Sequence, residues 1–343
     1  MNNDGIKNLL HHLKNKPQRS RNDEVLLIDS MNMFIRGFTM VKTMNQKGQH
    51  TGGMIGFLRS LGFIIRKFNP TRVICVFDGK GGSINRKNIN SDYKANRGTH
   101  QITNWGMYDS ISQEKDAMAS QVERLYDYLE ALPVDVITLE KVEADDIISY
   151  LAQGFAYKNK RATIVSSDQD FLQIIKPGIQ VYRPTEKKLY NHTNVQNKIK
   201  VHPKNYLITK ALLGDNSDNL PGVKGLGLKT LTKEFPEVKN DPNINLDFIF
   251  EKAEKKLDGK VIFAKIIDQW DKVEQNYKLM NLDTPRLSDD EKETIVKTLK
   301  ESYPELQINT FMYYLEQDGI DGITRNTDGW LTEFKYLSLF NKN

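Results

Sequence analysis

The sequence predicts an α/β fold with a mostly parallel central sheet flanked by helices. Three largely apolar runs, "VLLID", "RVICVFD" and "ATIVSSDQD", end in Asp29, in Asp78 and in the pair Asp168 and Asp170. Continuous apolar runs bounded by turn residues are typical of strands that are buried on both faces of a parallel sheet. Helical patterns at 53–68 and 114–132 separate the runs, which gives the alternating order of an α/β protein.

The predicted strands place carboxylates at their carboxyl ends. In open α/β sheets ligands bind beyond that edge, so these strand ends are candidates for one site. Asp168 and Asp170 also fit a simpler interpretation, because Asp and Ser after a strand often form a turn or cap the next helix. The remaining motifs decide between the two interpretations.

The stretch "KVEADDIISYLAQGF" predicts a helix that begins with acidic residues. Glu143 and Asp146 are three positions apart and share one side of this helix. Asp145 is rotated away from them, so ideal geometry does not bring all three carboxylates to one ion. An alternative role for these charges is to offset the dipole at the helix N-terminus.

Residues 79–113 form a long segment that is rich in Gly, Asn and basic residues and lacks long apolar periodicity. A loop of this length inside a compact domain is usually functional or disordered. Two interpretations are open, a solvated loop and a nucleic-acid channel in which cations bind phosphates and rings stack on bases. The cations are Lys80, Arg86, Lys87, Lys94 and Arg97, and the rings are Tyr93 and Trp105.

After about residue 200 the pattern becomes mainly helical. The stretch "GDNSDNLPGVKGLGLKT" carries Asp215 and Asp218, and the glycines Gly222, Gly225 and Gly227 then bracket a tight turn. Free backbone N–H groups at such a turn, and at the helix start that follows it, can bind a phosphate.

Nine carboxylates are therefore candidates for a common site. Two carboxylates about 4 Å apart repel by about 4 kcal/mol at an effective dielectric near 20, so their convergence requires cations. Ligands that are all oxygen favour Mg²⁺ or Mn²⁺. Of the 44 acidic side chains these nine leave 35 to face 49 basic ones, and that excess suits a polyanionic substrate. The nine are Asp29, Asp78, Glu143, Asp145, Asp146, Asp168, Asp170, Asp215 and Asp218.

The composition predicts a soluble, cytoplasmic protein. Charged residues make up 27% of the 343 residues, and Cys75 is the one cysteine, which excludes a disulfide framework and fits a reducing compartment. The N-terminal residues lack the apolar core of a signal peptide. The apolar stretch at 54–65 is interrupted by Arg59 and is too short to span a bilayer.

Five motifs in one order, "FDG", "DYKANR", "VEADD", "SSDQDF" and "GDNSDNLPGVKGLGLKT", closely resemble those of the 5′ nucleases. This family comprises the bacteriophage flap endonucleases and ribonuclease H-type enzymes and the 5′-nuclease domain of bacterial DNA polymerase I. The spacing from Asp29 to Arg36 and the stretch "TGGMIGFLRSL" are also similar to that family. The resemblance covers about residues 24–285, and the chain length favours the stand-alone phage form.

The resemblance implies a role for each matching residue. It implies two Mg²⁺ ions, which Mn²⁺ can replace, and a K⁺ ion at the 222–227 turn. The first metal site would use Asp29, Asp78, Glu143, Asp145 and Asp146, and the second Asp168, Asp170, Asp215 and Asp218. The catalytic side chains would be Lys94, Arg97, Tyr93 and Arg36. The DNA-binding residues would be Arg86 and Lys87 on the 79–113 segment, and Gly222, Lys224, Gly225, Gly227, Lys229 and Thr230 at the turn.

The resemblance also implies a division into domains. An N-terminal extension would occupy 1–22, and an α/β nuclease domain of the PIN-like type would occupy 23–200, with a helical arch at 79–113 through which a 5′ single strand passes. A helix-hairpin-helix-type DNA-binding region would follow at 201–285. A C-terminal helical extension would end the chain at 286–343.

The implied function is that of a structure-selective 5′ nuclease, both flap endonuclease and 5′→3′ exonuclease, with ribonuclease H activity in phage DNA replication. Its substrates would be branched or nicked DNA and RNA–DNA hybrids. One alternative is a 5′→3′ exonuclease for recombination or breakdown of host DNA. A protein that only binds DNA structures and a small metal-dependent ribonuclease are two others. The full set of carboxylates argues against the first of these two, and the arch and hairpin argue against the second.

The C-terminal stretch "WLTEFKYLSLF" has two interpretations. Trp330, Phe334 and Leu337 have the spacing of an amphipathic element that packs on the helical domain. Alternatively, "YLSLF" resembles the short peptides that bind a sliding clamp, although Tyr336 stands where Gln is usual. The expected partners are therefore the nucleic acid, a sliding clamp and a single-stranded-DNA-binding protein, with the enzyme itself a monomer.

Overall fold

A six-stranded sheet forms the centre of the protein in the computed structural model. The structure describes residues 19–98, 103–104 and 106–341, apart from the side chains of residues 97 and 98. Most of the predicted N-terminal extension, together with Trp105 and the Arg97 side chain, lies outside the described residues. The strands are β1 (Glu24–Asp29), β2 (Arg72–Val76), β3 (Asp135–Ile137), β4 (Arg161–Val165), β5 (Ile179–Arg183) and β6 (Lys188–Tyr190).

The strands lie in the order β3-β2-β1-β4-β5-β6. The first five are parallel to one another, and β6 pairs with β5 in the antiparallel direction. The three apolar runs with acidic ends are β1, β2 and β4, so the prediction of a mostly parallel sheet flanked by helices is confirmed.

Two hydrophobic cores cover the two faces of the sheet. Val25 and Leu27 of β1 belong to the core beneath the helix Ala144–Tyr157. Leu26 and Ile28 belong to the opposite core. The alternation follows from strand geometry, in which successive side chains point to opposite faces. The helices Ser30–Met40, Gly52–Phe68 and Ile111–Glu130 cover this second face together with two C-terminal helices.

The chain after the sheet is mainly helical, as predicted. The helix Tyr206–Leu213 is followed by a short hairpin of β7 (Gly214–Asp215) and β8 (Leu220–Pro221) and then by the helix Leu228–Glu234. The other helices of this part are Val195–Ile199, Glu237–Asn240, Leu246–Glu254, Val261–Asp268, Trp270–Met280, Asp289–Glu301, Ile308–Gln317 and Thr327–Ser338.

Glycine is required where this hairpin meets the preceding helix. A Cβ on Gly214 would lie 2.2 Å from the backbone nitrogen of Gly222, and φ at Gly214 is +79°. A Cβ on Gly222 would lie 2.2 Å from the carbonyl oxygen of Leu213. Two backbone segments thus approach more closely than any side chain would allow.

The segment 79–113 differs from the predicted arch in its described part. It contains the helical turn Ile84–Lys87 and the 3₁₀ turn Ala95–Gly98, and it enters the long helix at Ile111. The first part of the segment lies against the body of the protein: the Asn85 amide donates to the Lys141 carbonyl, and Arg86 and Tyr93 are buried. An arch standing clear of the sheet is therefore not seen in the described residues.

The C-terminal helices pack on both faces of the sheet, which differs from the predicted single extension at 286–343. Asp289–Glu301 joins the core under Ala144–Tyr157, whereas Ile308–Gln317 and Thr327–Ser338 join the opposite core. The chain crosses from one face to the other because apolar residues of these helices are needed to cover both. None of the helices in the described ranges is long and apolar enough to cross a membrane.

The final helix packs on the α/β layer rather than on the helical domain. Trp330 donates its indole N–H to the Leu58 carbonyl at 3.2 Å, and Phe334 and Leu337 are buried with it. The interpretation as a packed amphipathic element is confirmed, and its predicted partner is corrected to the helix Gly52–Phe68. Within "YLSLF" Leu337 is 1% exposed and packed in the core, whereas Leu339 is 61% exposed.

Gly62→Ala tests this docking through the sign of its effect. Alanine normally stabilises a helix interior by about 0.5–1 kcal/mol relative to glycine. A Cβ on Gly62, however, would lie 2.1 Å from the indole nitrogen of Trp330. Overpacking of this kind typically costs about 1–3 kcal/mol, which exceeds the gain in helix propensity. We therefore expect Gly62→Ala to lower the free energy of unfolding in urea.

Gly154→Ala is the matched control, because a Cβ on this helical glycine meets nothing within 4 Å. It should raise the free energy of unfolding. A stabilising effect of Gly62→Ala as well would show that Trp330 does not pack on this helix in solution.

Candidate active site at the carboxyl edge of the sheet

The carboxyl ends of β1, β2 and β4 meet at one edge, where the order of the strands reverses. The chain passes from β1 to β2 on one side and continues through β4 on the other, so a switch point lies between β1 and β4. Crevices at switch points are common ligand sites in open α/β sheets. Asp29 ends β1, and Asp78 and Asp168 follow closely after β2 and β4.

Asp29 lies at the centre of this edge and is 7% exposed. It accepts a hydrogen bond from Ser166 Oγ at 2.7 Å and another from the backbone N–H of Asn32 at 3.2 Å. Burial nevertheless raises the pKa of Asp29 to about 7, and the charges of Asp78 and Asp168 add to that rise. The folded chain therefore disfavours a negative charge at this position.

Asp145 shares this environment from the facing helix. Burial raises the pKa of the Asp145 carboxyl well above its ordinary value, and the charges of Asp168 and Asp29 raise it further. The cation of Lys94 acts in the opposite direction. The cluster of Asp29, Asp145 and Asp168 is thus one electrostatic unit in which each carboxylate makes its neighbours harder to ionise.

Asp78 fixes the helix that carries Asp145. Its Oδ1 accepts a hydrogen bond from the backbone N–H of Ala144 at 2.9 Å, at the first residue of the helix Ala144–Tyr157. A carboxylate at a helix N-terminus is also favoured by the helix dipole. The end of β2 and the start of this helix are therefore joined directly at the site.

Glu143 and Asp146 share one side of the helix and Asp145 turns away, as helix geometry predicts. Both carboxylates bind the guanidinium of Arg86: Asp146 accepts from Nη1 at 2.6 Å and from Nη2 at 3.1 Å, and Glu143 also accepts from Nη1. Arg86 is 3% exposed, and it donates through Nε to the Leu279 carbonyl at 3.0 Å. The prediction that Arg86 contacts DNA is corrected, because burial and these partners engage its guanidinium.

Tyr93 is a core residue and is not placed for base stacking. Its ring is 3% exposed, and its hydroxyl lies 3.4 Å from Glu143 Oε2. Burial raises the pKa of the Tyr93 hydroxyl well above its ordinary value, as does the charge of Glu143. The ring packs with Leu207, Leu220, Leu279 and Met280.

Lys94 joins the 79–98 segment to the carboxylates. Its ammonium donates to Glu143 Oε1 at 2.6 Å, and its backbone N–H donates to the Asp218 carbonyl at 2.9 Å. Its φ of +57° lies in the left-handed region, which is uncommon for a residue with a side chain. The backbone thus adopts a costly conformation that directs this cation toward the site.

Lys210 holds a second group of carboxylates together. Its ammonium binds Asp170, and it binds Asp215 Oδ2 at 2.7 Å. Although burial opposes it, the cation of Lys210 and the hydrogen bonds of Ser217 lower the pKa of Asp215 to about 2. Sequence reasoning missed Lys210, although a single lysine in the apolar helix "YLITKALL" indicates a buried partner.

The structure therefore separates the nine predicted carboxylates into groups. Asp29, Asp78, Asp145 and Asp168 interact at the switch point, Glu143 and Asp146 bind Arg86, and Asp170 and Asp215 bind Lys210. Asp218 acts on Tyr93 through its charge. Across the described ranges, no three His, Cys, Asp or Glu side chains are grouped so that they could hold a metal ion.

The other predicted residues lie on more exposed surfaces. Arg36 is half-buried, and its charge opposes the effect of burial on the pKa of Tyr182. Lys87 is exposed on its helical turn. At the second predicted DNA contact, Gly222, Lys224, Gly225, Gly227, Lys229 and Thr230 are exposed or half-buried around the start of the helix Leu228–Glu234.

Residues 24–200 match the sequence profile of one protein family, the 5′-3′ exonuclease, N-terminal resolvase-like domain. The 5′-3′ exonuclease of Bacillus subtilis is 33% identical over 225 residues, which cover 63% of this chain and 71% of that protein. The 5′-3′ exonuclease of Buchnera aphidicola from Schizaphis graminum is 29% identical over 221 residues, or 63% of this chain and 72% of that protein. DNA polymerase I of Borreliella burgdorferi is 28% identical over 282 residues, or 79% of this chain and 29% of the polymerase.

Solved structures share the fold at lower sequence identity. The bacteriophage T5 flap endonuclease, in a pseudo-enzyme–product complex with DNA and metal ions, superposes with a TM-score of 0.61 at 16% identity. The match covers 86% of this chain and 98% of the phage protein. Human GEN1 in complex with Holliday junction DNA superposes with a TM-score of 0.56 at 14% identity, covering 95% of this chain and 76% of that protein.

Asp29→Asn should stabilise the metal-free protein near neutral pH. The folded state raises the pKa of Asp29 from about 3.9 in unfolded chains to about 7, so the folded state holds the proton more tightly. Stability from this group is therefore lost as the pH rises from about 4 to 7. We expect the neutral amide to raise the free energy of unfolding by about 1–4 kcal/mol in urea at pH 7.5 with EDTA.

Asp23→Asn is the matched control at the opposite end of the same strand region. A hydrogen bond from Lys160 lowers the pKa of Asp23 to about 2, so this charge is favoured by folding. Its removal should lower stability or leave it unchanged. A loss of stability in Asp29→Asn at pH 7.5 would contradict the proposed repulsion among the carboxylates.

Proposed function

The chain belongs to the 5′-3′ exonuclease family and is a phosphodiester hydrolase, and we propose that it is a metal-dependent, structure-selective 5′ nuclease. Its substrates are 5′ flaps, nicked duplexes and RNA primers on DNA, and its role is removal of primers during phage DNA replication. The observation that carries this proposal is the group of carboxylates at the switch point of the sheet, in which burial and neighbouring charges raise the pKa values of Asp29 and Asp145.

Similar folds have been solved with nucleic acid and metals, which supports the choice of substrate. The bacteriophage T5 flap endonuclease was solved with DNA and metal ions, and the T5 5′-exonuclease with divalent zinc. GEN1 was solved with a Holliday junction. These proteins act as precedents for branched DNA on this fold.

The donor atoms at the switch point suit divalent cations in kind, although among the described residues no three acidic side chains are grouped closely enough to hold an ion. The donors there are carboxylate oxygens, which are the ligands that Mg²⁺ and Mn²⁺ prefer. A cation bound beside Asp29 and Asp145 would favour the ionised forms of these carboxyls, which burial and neighbouring carboxylates oppose. We assign the first ion to Asp29, Asp78, Asp145 and Asp168, with Glu143 and Asp146 adjoining through Arg86.

The second carboxylate group fits a cation less directly. The ammonium of Lys210 already pairs with both Asp170 and Asp215 and offsets one of their two negative charges. A second ion near Asp170, Asp215 and Asp218 competes with this lysine. We therefore propose two ions of unequal affinity, the weaker one on the side of Lys210.

The chain's own cations complete the chemistry. Bound divalent ions would polarise the phosphate and lower the pKa of a water molecule that attacks it. Lys94, held at Glu143, places a positive charge beside the carboxylates, and Arg97 follows three residues later on the same segment. These two, with Arg36 at the neighbouring helix, neutralise charge that develops on the phosphate.

Duplex DNA is bound at the glycine-rich turn. Lys224, Gly225 and Gly227 of the turn 222–227 are exposed, as is Lys229 at the following helix start. Helix N-termini and lysines bind phosphates without regard to base sequence. We propose a helix-hairpin-helix-type contact with a K⁺ ion in this turn, within a DNA-binding region at 201–285.

A 5′→3′ exonuclease for recombination or host-DNA breakdown is the second candidate, favoured by the names of the relatives in bacteria. Both functions use the same site. A flap substrate with a 5′ label separates them, because a flap endonuclease releases the intact flap and an exonuclease releases single nucleotides.

Asp168→Asn combined with Asp215→Asn tests the metal assignment. The substitutions remove one oxygen charge from each carboxylate group and leave the basic surface intact. We expect cleavage of a 5′ flap in Mg²⁺ to fall by several orders of magnitude, while affinity for the same flap in EDTA is unchanged in a fluorescence anisotropy titration.

The double variant Asp258→Asn/Asp290→Asn is the control, since both of its carboxylates are exposed away from the strand ends. It should cleave at the rate of the parent protein. Near-normal cleavage by the Asp168/Asp215 variant would overturn the metal assignment.

Lys94→Ala tests the role of the cation beside Glu143. Loss of one charged stabiliser of the transition state typically costs about 10²–10³ in rate. We expect the single-turnover rate to fall by this factor with little change in flap affinity, and Lys94→Arg to recover part of the rate because it keeps the charge.

Lys297→Ala, which removes an exposed lysine from a remote helix, controls for net charge. Thermal melts of each variant separate a catalytic effect from loss of folded protein, because Lys94 also pairs with the buried Glu143. An unchanged single-turnover rate would show that Lys94 serves the fold alone.

A further inference from the structure

The loop Ser166–Asp168 brings one of the cluster carboxylates to the site. Within the site, Ser166 Oγ donates to Asp29 at 2.7 Å and accepts from the Asp168 backbone N–H at 3.0 Å. The Ser167 N–H donates to Asn32 Oδ1 at 3.0 Å, and the Asp170 N–H donates to Asp168 Oδ1 at 2.8 Å. These bonds tie the loop to its immediate neighbours.

Arg183 holds the same loop from outside the site. It is the last residue of β5 and is 6% exposed, and its Nη2 donates to the Ser167 carbonyl at 2.6 Å. A hydrogen bond from a buried guanidinium is about twice as strong as one between neutral groups. The carbonyl that it fixes belongs to the residue directly before Asp168.

The guanidinium of Arg183 is itself held by Glu186. Nη1 of Arg183 donates to Glu186, which also accepts from the Tyr190 hydroxyl and from Lys198 Nζ at 2.8 Å. Tyr190 lies on β6 and Lys198 in the helix Val195–Ile199. Glu186 therefore connects two elements, β6 and the helix Val195–Ile199, to one arginine.

We propose that Arg183 is a positioning residue, through which the β5–β6 hairpin fixes the Ser167 carbonyl and thereby sets Asp168 against Asp29 and Asp145. The proposal rests on the proposed function, since it concerns how the cluster binds a divalent cation. The planar fork of arginine reaches the Ser167 carbonyl and Glu186 together, whereas the single ammonium of lysine lacks that geometry.

A purely structural role for Arg183 makes a different prediction. If Arg183 only stabilises the hairpin, its removal lowers the melting temperature and leaves metal affinity of the folded protein unchanged. If Arg183 positions Asp168, removal of Arg183 displaces that carboxylate and lowers the affinity for the metal. This loss requires that Asp168 be present.

The test measures Mn²⁺ binding to the DNA-free protein by isothermal titration calorimetry, together with single-turnover cleavage of a 5′ flap. Groups that orient metal ligands typically contribute 10- to 100-fold to metal affinity or activity. We expect Arg183→Met to lose about that much in both measurements, and flap affinity in EDTA to stay unchanged. Arg183→Lys and Glu186→Gln should lose less Mn²⁺ affinity and less cleavage. These two variants are measured instead if Arg183→Met fails to fold.

Arg161→Met is the matched control. Arg161 is the first residue of the adjacent strand β4 and lies at the end of the sheet opposite the carboxylate site. Like Arg183, it pairs with a glutamate, in this case Glu24 at 3.1 Å. Its removal should leave Mn²⁺ affinity and cleavage unchanged. Equal losses in both arginine variants would overturn the positioning role.

A double-mutant cycle with Asp168→Asn separates the outcomes. Under the proposal, Arg183→Met weakens Mn²⁺ binding in the parent chain but not in the Asp168→Asn background, while the effects on melting temperature remain. The same fractional loss of affinity in both backgrounds overturns the proposal and leaves the proposed function intact. If Asp168→Asn alone leaves Mn²⁺ affinity and cleavage unchanged, the metal assignment fails and this proposal fails with it.

Discussion

Repulsion among buried carboxylates at the switch point is the constraint on which the rest of the site depends. Burial raises the pKa values of Asp29 and Asp145, and the charge of Asp168 raises both further. Such a group is stable only if surrounding elements hold it against its own repulsion. The donors that do so come from β4, from the start of the helix Ala144–Tyr157 and from the segment after β2.

The cations of the site come from parts of the chain that lie outside the sheet. Arg86 and Lys94 are supplied by the 79–98 segment, and Lys210 by the helical region. The helical region also orients Arg86 through the Leu279 carbonyl, and it binds Asp146 through the N–H of Arg286 at 3.0 Å. The nuclease layer and the helical region are therefore one electrostatic unit, which explains why the predicted domain boundary near 200 is not a boundary of the site.

The sequence was sufficient for what depends on local periodicity and not for what depends on tertiary partners. Strand runs with acidic ends predicted the sheet and its functional edge, and helical spacing separated Asp145 from Glu143 and Asp146. The resemblance implies that Arg86 binds DNA and that Tyr93 is catalytic, yet both are buried, in part by Leu279 of the helical region. Lys210 was missed for the same reason, because its two carboxylate partners are identified only once the chain is folded.

The opposite edge of the sheet also carries a buried carboxylate, and the partners of that carboxylate differ from those at the carboxyl edge. Asp135 at the start of β3 is buried like Asp29, but it binds Arg72 at 2.7 Å and Arg21 at 3.1 Å, and Arg72 also donates to the Leu299 carbonyl at 2.6 Å. At that edge each buried charge meets an opposite one, and the ion pairs join the sheet to a C-terminal helix. At the carboxyl edge, by contrast, the charge of Asp168 raises the pKa values of both Asp29 and Asp145. One sheet thus carries an acid held by arginines at the end that stabilises it, and acids that oppose one another's ionisation at the end proposed to face the ligand, which is the pattern typical of a binding site.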